Sequence, residues 1–214
     1  MRHRTKPLIL LTFFAGTIGL LAGFVLYPSA PGKNAPPIDI PGFLWPNPKV
    51  LTAFSLEDHA GRAFDLDTLK GKWTFLFFGY THCPDVCPLT LSVLADVERR
   101  LTKAKQASEN TQVVFVSLDP RRDDQEQLHQ YVQYFSPDFV GVTGDEERLA
   151  GLTRQLGIVH AIAEPGPSGD YLVDHTASVL LTDPEARLVA VFGLPHNAGS
   201  IASRFMAIRD FLEG

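Results

Sequence analysis

The sequence predicts an α/β domain with a mixed central sheet flanked by helices, preceded by an N-terminal hairpin and, ahead of that, a single transmembrane helix. Two observations carry the domain. WTFLFF (Trp73–Phe78) and QVVFVSL (Gln112–Leu118) are continuous apolar runs of strand length, as buried central strands require. Between and after them lie segments with apolar residues at helical spacing, and strands that alternate with helices build an α/β sheet. A third observation carries the membrane segment: LILLTFFAGTIGLLAGFVLY, from Leu8 to Tyr27, holds twenty uncharged residues in a row.

Twenty residues at helical rise reach about 30 Å, the thickness of a bilayer's hydrocarbon core. Arg2, Arg4 and Lys6 precede the segment. The positive-inside rule therefore keeps residues 1–7 cytoplasmic and sends the domain outside. A cleaved signal is the alternative, but its apolar region is usually only ~7–15 residues long. The cleavage signals are also weak: Pro28-Ser29-Ala30 is not A-x-A-like, and Leu21-Ala22-Gly23 leads into Phe24 rather than a lipoprotein cysteine. The expected order is a cytoplasmic N-terminus (1–7), an inner-membrane anchor (8–27), a spacer (28–48) and a periplasmic domain (49–214). Pro28 to Pro48 contains seven prolines in twenty-one residues, which makes an extended, stiff spacer.

In the domain, VLTAFSLEDHAGRAFDLDTLKGK reads as a hairpin around the turn His59-Ala60-Gly61. Pro88 suits the first turn of a helix, and Leu91, Leu94, Val97 and Leu101 continue it at helical spacing. The run 112–118 ends at Asp119-Pro120. A polar helix (124–135), a strand (139–143), a helix (145–156) and a strand (158–163) follow, then the loop EPGPSGD. Val173 leads through Asp174-His175 into the strand ASVLLTD, a turn at Asp183–Ala186, the strand RLVAVFG and a last helix from about Asn197. At 214 residues, 45% hydrophobic, 20% charged and with net charge −5, the chain suits one anchor and one ordinary domain. It has no basic stripe to neutralise phosphates, which excludes nucleic acid as a partner.

The only two cysteines, Cys83 and Cys87, lie in FGYTHCPDVCPLT, at the C-terminal end of the strand 73–78 and the start of its helix. Open α/β sheets place ligand sites at such strand ends. The N-terminal half-charge of the helix stabilises thiolates, which serves a redox pair and a metal site equally. An oxidising compartment favours a disulfide unless a reductant is supplied. On one helical turn, i and i+4 stand ~5–6 Å apart at Cβ, wider than the ~3.5–4.5 Å of a disulfide. The spacing therefore leans toward metal without excluding redox chemistry.

Two thiolates need a third donor, and the chain offers seven histidines. His3 lies in the N-terminal tail, His59 in a turn, His129 on a polar helix face, His160 on a strand surface, and His196 before the last helix. His82 adjoins Cys83, but neighbours at a strand end point to opposite sides. His175 stands between a Gly/Pro-rich loop and a strand, where its side chain can reach a neighbouring strand's end. Asp174 beside it is a candidate either to orient the loop or to accept a hydrogen bond from a ring nitrogen.

Together, FGYTHCPDVCP (78–88), VSLDPRRD (116–123), the Thr143-Gly144 pair and YLVDH (171–175) resemble the Sco/SenC family of copper chaperones, in order and in register with an N-terminal anchor. The resemblance implies a thioredoxin-like fold that binds one copper through Cys83, Cys87 and His175. It implies assistance to the dinuclear copper centre in subunit II of cytochrome c oxidase, and in some members reduction of that target's cysteines. Such a protein needs an upstream copper donor or thiol reductant as a partner. Asp85 matches the family's acidic residue near the metal, an oxygen donor or docking contact; its alternative is to cap the helix. Two thiolates and an imidazole suit Cu(I), and Cu(II) with an added oxygen ligand. Structural zinc takes four protein ligands, and no convincing fourth is present.

Arg121, Arg122 and Asp123 read equally as part of the same rim or as a solvated turn whose Asp starts the next helix. The turn Asp183-Pro184-Glu185-Ala186 departs from the family, where a glycine is usual, and is expected to lie far from the metal. The competing function is an extracytoplasmic thiol–disulfide oxidoreductase with Cys83 as nucleophile and Cys87 as resolving thiol. Reductases of the thioredoxin type place a cis-proline before the strand opposite their cysteines. The comparable segment here, DHTAS, has a histidine and no proline, which favours metal binding over catalysis. A thiol peroxidase is weaker still, since it expects one Thr-x-x-Cys cysteine rather than a pair.

Overall fold

The computed structural model describes residues 39–213 apart from 45, 105–109 and 167–168. The expected anchor (8–27) and the first half of the spacer lie outside the described residues. Among the described residues, no helix is long and apolar enough to cross a membrane. The domain begins at Asp39, ten residues before the expected boundary at 49. Ile40 is buried, Phe43 bridges to Ala190, and Leu44 N–H donates to the Val189 carbonyl at 2.7 Å. The end of the proline-rich stretch thus carries apolar side chains that the domain uses.

Strand β4 (Trp73–Gly79) is buried at every residue. It runs parallel to β5 (Thr111–Ser117), which runs parallel to β6 (Val140–Thr143). On its other side β4 pairs antiparallel with β9 (Val179–Thr182), which continues to β10 (Arg187–Phe192) and β1 (Lys49–Val50). The predicted hairpin, β2 (Ser55–Asp58) and β3 (Ala63–Asp65), closes the opposite edge by pairing β2 with β6. The result is the mixed sheet that the sequence predicts, in the order β1-β10-β9-β4-β5-β6-β2-β3.

Strand side chains alternate between faces, and both faces of β4 meet a core. Phe75 and Phe77 join Cys87, Leu91, Leu94 and Val97 of α2 (Val86–Lys103), Leu128 and Val132 of α3 (Gln125–Gln133), and Phe205 of α5 (Ala198–Glu213). Leu76 and Phe78 join Leu69 of the short α1 (Leu66–Leu69) and Leu149 and Leu152 of α4 (Glu146–Leu156). Burying each such side chain contributes about 1.5–3 kcal/mol. The helix α4 is capped by Asp145, whose side chain accepts from Arg148 N–H at 2.9 Å.

One element departs from expectation. His175 does not lead into the following strand: it ends β8 (Val173–His175), which pairs with β7 (His160–Ile162) in a separate two-stranded ribbon. Residues 176–178 then separate β8 from β9.

Candidate metal centre

Gly79 ends β4, and a turn follows in which Cys83 N–H donates to the Tyr80 carbonyl at 3.2 Å. Cys83 therefore precedes the helix, and only Cys87 stands in its first turn. The condition that both lie on one helical turn is therefore not met: Pro84 and the N-cap Asp85 come between them. Cys83 is half-buried, Cys87 is fully buried, and both are free thiols.

His175 comes to them from the ribbon. Its Nε2 lies 3.4 Å from Cys87 Sγ, and the donor atoms of Cys83, Cys87 and His175 all fall within 4.8 Å of one another. The ring stands edge-on to Phe77 and Tyr80, each with centroids 6.2 Å away. Its Nδ1 lies 3.0 Å from the Thr176 carbonyl oxygen. A carbonyl only accepts, so Nδ1 carries the proton and Nε2 presents its lone pair to Cys87. Asp174, the candidate partner of the ring, is exposed on the other face of β8, so the backbone of Thr176 takes that role.

Burial dominates the electrostatics. It pushes the Cys87 thiol well above its usual range, although a hydrogen bond from the Tyr80 backbone works against it. The lowering that a helix N-terminus gives a thiol is opposed here by the loss of water around a fully buried sulfur. Burial likewise holds His175 below the usual histidine value, which keeps it neutral and available as a ligand. The core has little slack here: a Cβ on Gly79 would stand 2.6 Å from Cys87 Sγ.

The other predicted residues are placed apart from this trio. Asp85 is exposed and makes no side-chain cap hydrogen bond, so it does not fill its alternative capping role. His82 is held to Thr81 Oγ1 at 3.1 Å and is largely exposed. His59 packs on His129 with ring centroids 4.9 Å apart, and His196 lies 3.1 Å from Thr90 Oγ1. His160 faces His175 across the ribbon; His3 lies outside the described residues. The reading of Arg121–Asp123 as a solvated turn holds only for Arg121, which pairs with Glu146 on the surface. Asp123 is fully buried, and the cap of α3 is Asp124. Nothing in the sequence near Thr176 or Tyr80 signals their part at the site, because each acts through backbone or ring contacts that only the fold creates.

The SCO1/SenC family model matches residues 46–209 of this chain. The mouse mitochondrial SCO2 homolog is 35% identical over 148 residues, covering 69% of this chain and 58% of its own length. The human mitochondrial SCO1 homolog is 38% identical over 154 residues, 70% of this chain and 50% of that protein. The chain thus spans little more than half the length of these relatives. Among solved structures, Arabidopsis thaliana ScoI with copper bound superposes with a TM-score of 0.69 at 34% identity, covering 75% of this chain and 99% of the other. The family match over most of the domain, on a fold shared with solved Sco structures, establishes that this chain belongs to the SCO1/SenC family.

Proposed function

We propose that this protein binds one copper ion as Cu(I) through Cys83, Cys87 and His175. It delivers that copper to, or prepares, the dinuclear centre in subunit II of cytochrome c oxidase. The observation that carries the reading is the convergence of two sulfurs and one imidazole nitrogen within 4.8 Å. This donor set is soft and three-coordinate, which suits Cu(I); an added oxygen ligand extends it to Cu(II). Relatives with copper bound, such as Arabidopsis ScoI, support the choice of metal.

The roles divide by burial. His175 binds without losing a proton, since its Nε2 lone pair already faces the site. Cys87 anchors the metal from the core and releases its thiol proton on binding. Cys83, nearer the surface, is the sulfur that a receiving protein reaches first. The N-terminal segment 8–27 anchors the domain to the inner membrane on the periplasmic side, with the spacer setting its reach. A copper donor or thiol reductant supplies the site.

The test is a Cu(I) titration of the full chain in detergent, under reductant and against a chelator, with X-ray absorption to count donors. One copper with two sulfurs and one nitrogen is expected. Cys83→Ala and Cys87→Ala should each abolish tight binding, and His175→Ala should weaken it. Weak binding, or binding indifferent to His175, would transfer the assignment to the thiol–disulfide oxidoreductase.

A further inference from the structure

The loop from Ser117 to Asp124, between β5 and α3, holds two carboxylates with zero exposure, Asp119 and Asp123. A carboxylate withdrawn from water is costly unless donors surround it, and here each set of donors ends beside a different part of the metal centre. Asp123 Oδ2 accepts from Thr81 N–H at 2.8 Å and from the Ser117 hydroxyl at 2.6 Å; its Oδ1 accepts from the Thr81 hydroxyl at 2.6 Å. Gln127 Nε2 lies 3.3 Å from that same Thr81 oxygen, and His82 Nδ1 lies 3.5 Å from Asp123 Oδ1. Thr81 stands inside the turn that delivers Cys83, so Asp123 pins the cysteine side of the site from below.

Asp119 serves the histidine side. Its Oδ1 accepts from the Tyr171 hydroxyl at 2.8 Å, and its Oδ2 accepts from Arg122 Nε. The Arg122 guanidinium lies 3.6 Å from the centroid of the Tyr171 ring and 5.7 Å from that of Tyr80. Tyr171 stands two residues ahead of β8, whose last residue is His175, and Tyr80 packs against the His175 ring. One loop therefore grips both segments that carry the donors, and it does so with charge-assisted bonds, about twice as strong as neutral ones.

We infer that Asp123 and the Asp119–Arg122 pair are positioning residues that hold the cysteine turn and the His175 ribbon in one fixed relation. The three donors are thereby set in place by the fold rather than gathered by the metal. The inference rests on the copper-binding reading for its metal readout, and its thiol readout is independent of that reading.

Asp123→Ala, Asp123→Asn and Tyr171→Phe, made in the full chain, test it. Three quantities are measured: Cu(I) affinity by chelator competition, the thiol–disulfide equilibrium of Cys83 and Cys87 against reduced and oxidised glutathione, and thermal unfolding. Loss of such outer partners typically lowers metal affinity about 10–100-fold, and Asp123→Ala and Tyr171→Phe should each fall in that range while unfolding stays cooperative. Asp123→Ala should also move the thiol equilibrium away from the wild-type value, because the turn that carries Cys83 loses its anchor. Tyr171→Phe should leave that equilibrium alone, because it acts on the histidine side. Asp123→Asn keeps an oxygen for Thr81 N–H and Ser117, and should recover most of the affinity. Folded variants with unaltered affinity and unaltered thiol equilibrium would overturn the inference. If Asp123→Ala fails to fold, Thr81→Val, which removes the hydroxyl that donates to Asp123 Oδ1, takes its place, and wild-type values in both Thr81→Val and Tyr171→Phe would overturn it equally. If the unaltered chain binds no copper, the proposed function falls, and the thiol equilibrium of the Asp123 variants still decides the cysteine arm.

Discussion

Gly79 shows how tightly single residues define the metal centre. It is the last residue of β4, and a Cβ built on it would meet Cys87 Sγ at 2.6 Å and Phe115 Cε2 at 2.9 Å. Phe115 is fully buried in the core and Cys87 is fixed on α2, so neither neighbour yields freely. Gly79→Ala should cost about 1–3 kcal/mol of stability, the usual toll of overpacking. It should also displace the thiol and weaken Cu(I) binding. Urea unfolding and chelator competition on the same sample check this; a stable variant with unaltered affinity would show that the site accommodates the methyl. The sequence does not disclose this constraint, because Gly79 and Cys87 meet only once α2 folds back over β4. It discloses Cys83 and Cys87 fully, as the only thiols, and His175 less so, as one of seven histidines. That Asp174 does not accept from the His175 ring has a simple cause: in an extended strand, adjacent side chains point to opposite faces. Once His175 belongs to β8, its neighbour cannot share its ring's environment.

At the scale of elements, the ribbon β7–β8 is the part that sequence reading misplaced. The sequence reads Val173–His175 as the lead into the strand that follows, whereas it forms a strand of its own, with three residues between it and Val179–Thr182. The separation matters, since it lets His175 approach Cys87 from a two-stranded unit outside the main sheet. Such a unit is marginal on its own, and its end is tied by few bonds. Thr176 N–H donates to the Val159 carbonyl at 2.9 Å, and Val159 N–H donates to the Thr176 hydroxyl at 3.1 Å. Thr176→Ala removes the second bond and the one its hydroxyl donates to the Val159 carbonyl at 3.4 Å, each worth about 0.5–1.5 kcal/mol. Amide exchange should speed up in residues 159–163 and 171–176 while the central strands keep their protection, and Cu(I) should dissociate faster. Unchanged exchange in the ribbon would show that its packing on the core holds it without Thr176. The opposite end of the sheet behaves as the sequence suggests. Thr182 pairs with Thr74 at the start of β4, so the turn at Asp183–Ala186 lies far from the cysteines. Ala186 adopts a positive φ of 56°, where a glycine is easier, and the Asp183 side chain holds the turn by accepting from Arg187 N–H at 2.9 Å.

For the molecule as a whole, the order of strands and helices was legible because strand and helix periods differ so plainly, whereas the buried polar network was not, because it depends on contacts between distant segments. That network includes histidines fixed in neutral form. His59 Nδ1 accepts from Gly141 N–H at 2.9 Å, and His175 Nε2 faces the Cys87 thiol. His196 Nε2 lies 3.2 Å from the Phe192 carbonyl, which leaves its Nδ1 to accept from the Thr90 hydroxyl. Burial, first among the causes, lowers all three below the usual value of 6.5. The unfolded chain therefore takes up protons near 6.5 that the folded chain refuses, so stability rises with pH through that range and is lost as pH falls below it. Asp145, held down by hydrogen bonds from the Arg148 backbone and side chain, acts only near and below its usual 3.8 and does not enter this window. Glu98, which burial raises above its usual 4.5, opposes this trend at the acid end. The histidine contribution is therefore read from the His59 and His196 variants against the unaltered chain, in the difference between urea midpoints at about pH 5 and about pH 7.5. His59→Gln and His196→Gln, both away from the copper ligands, should each reduce that difference. A pH difference that is the same in both variants as in the unaltered chain would mean that these rings titrate in the folded domain as freely as in the unfolded chain.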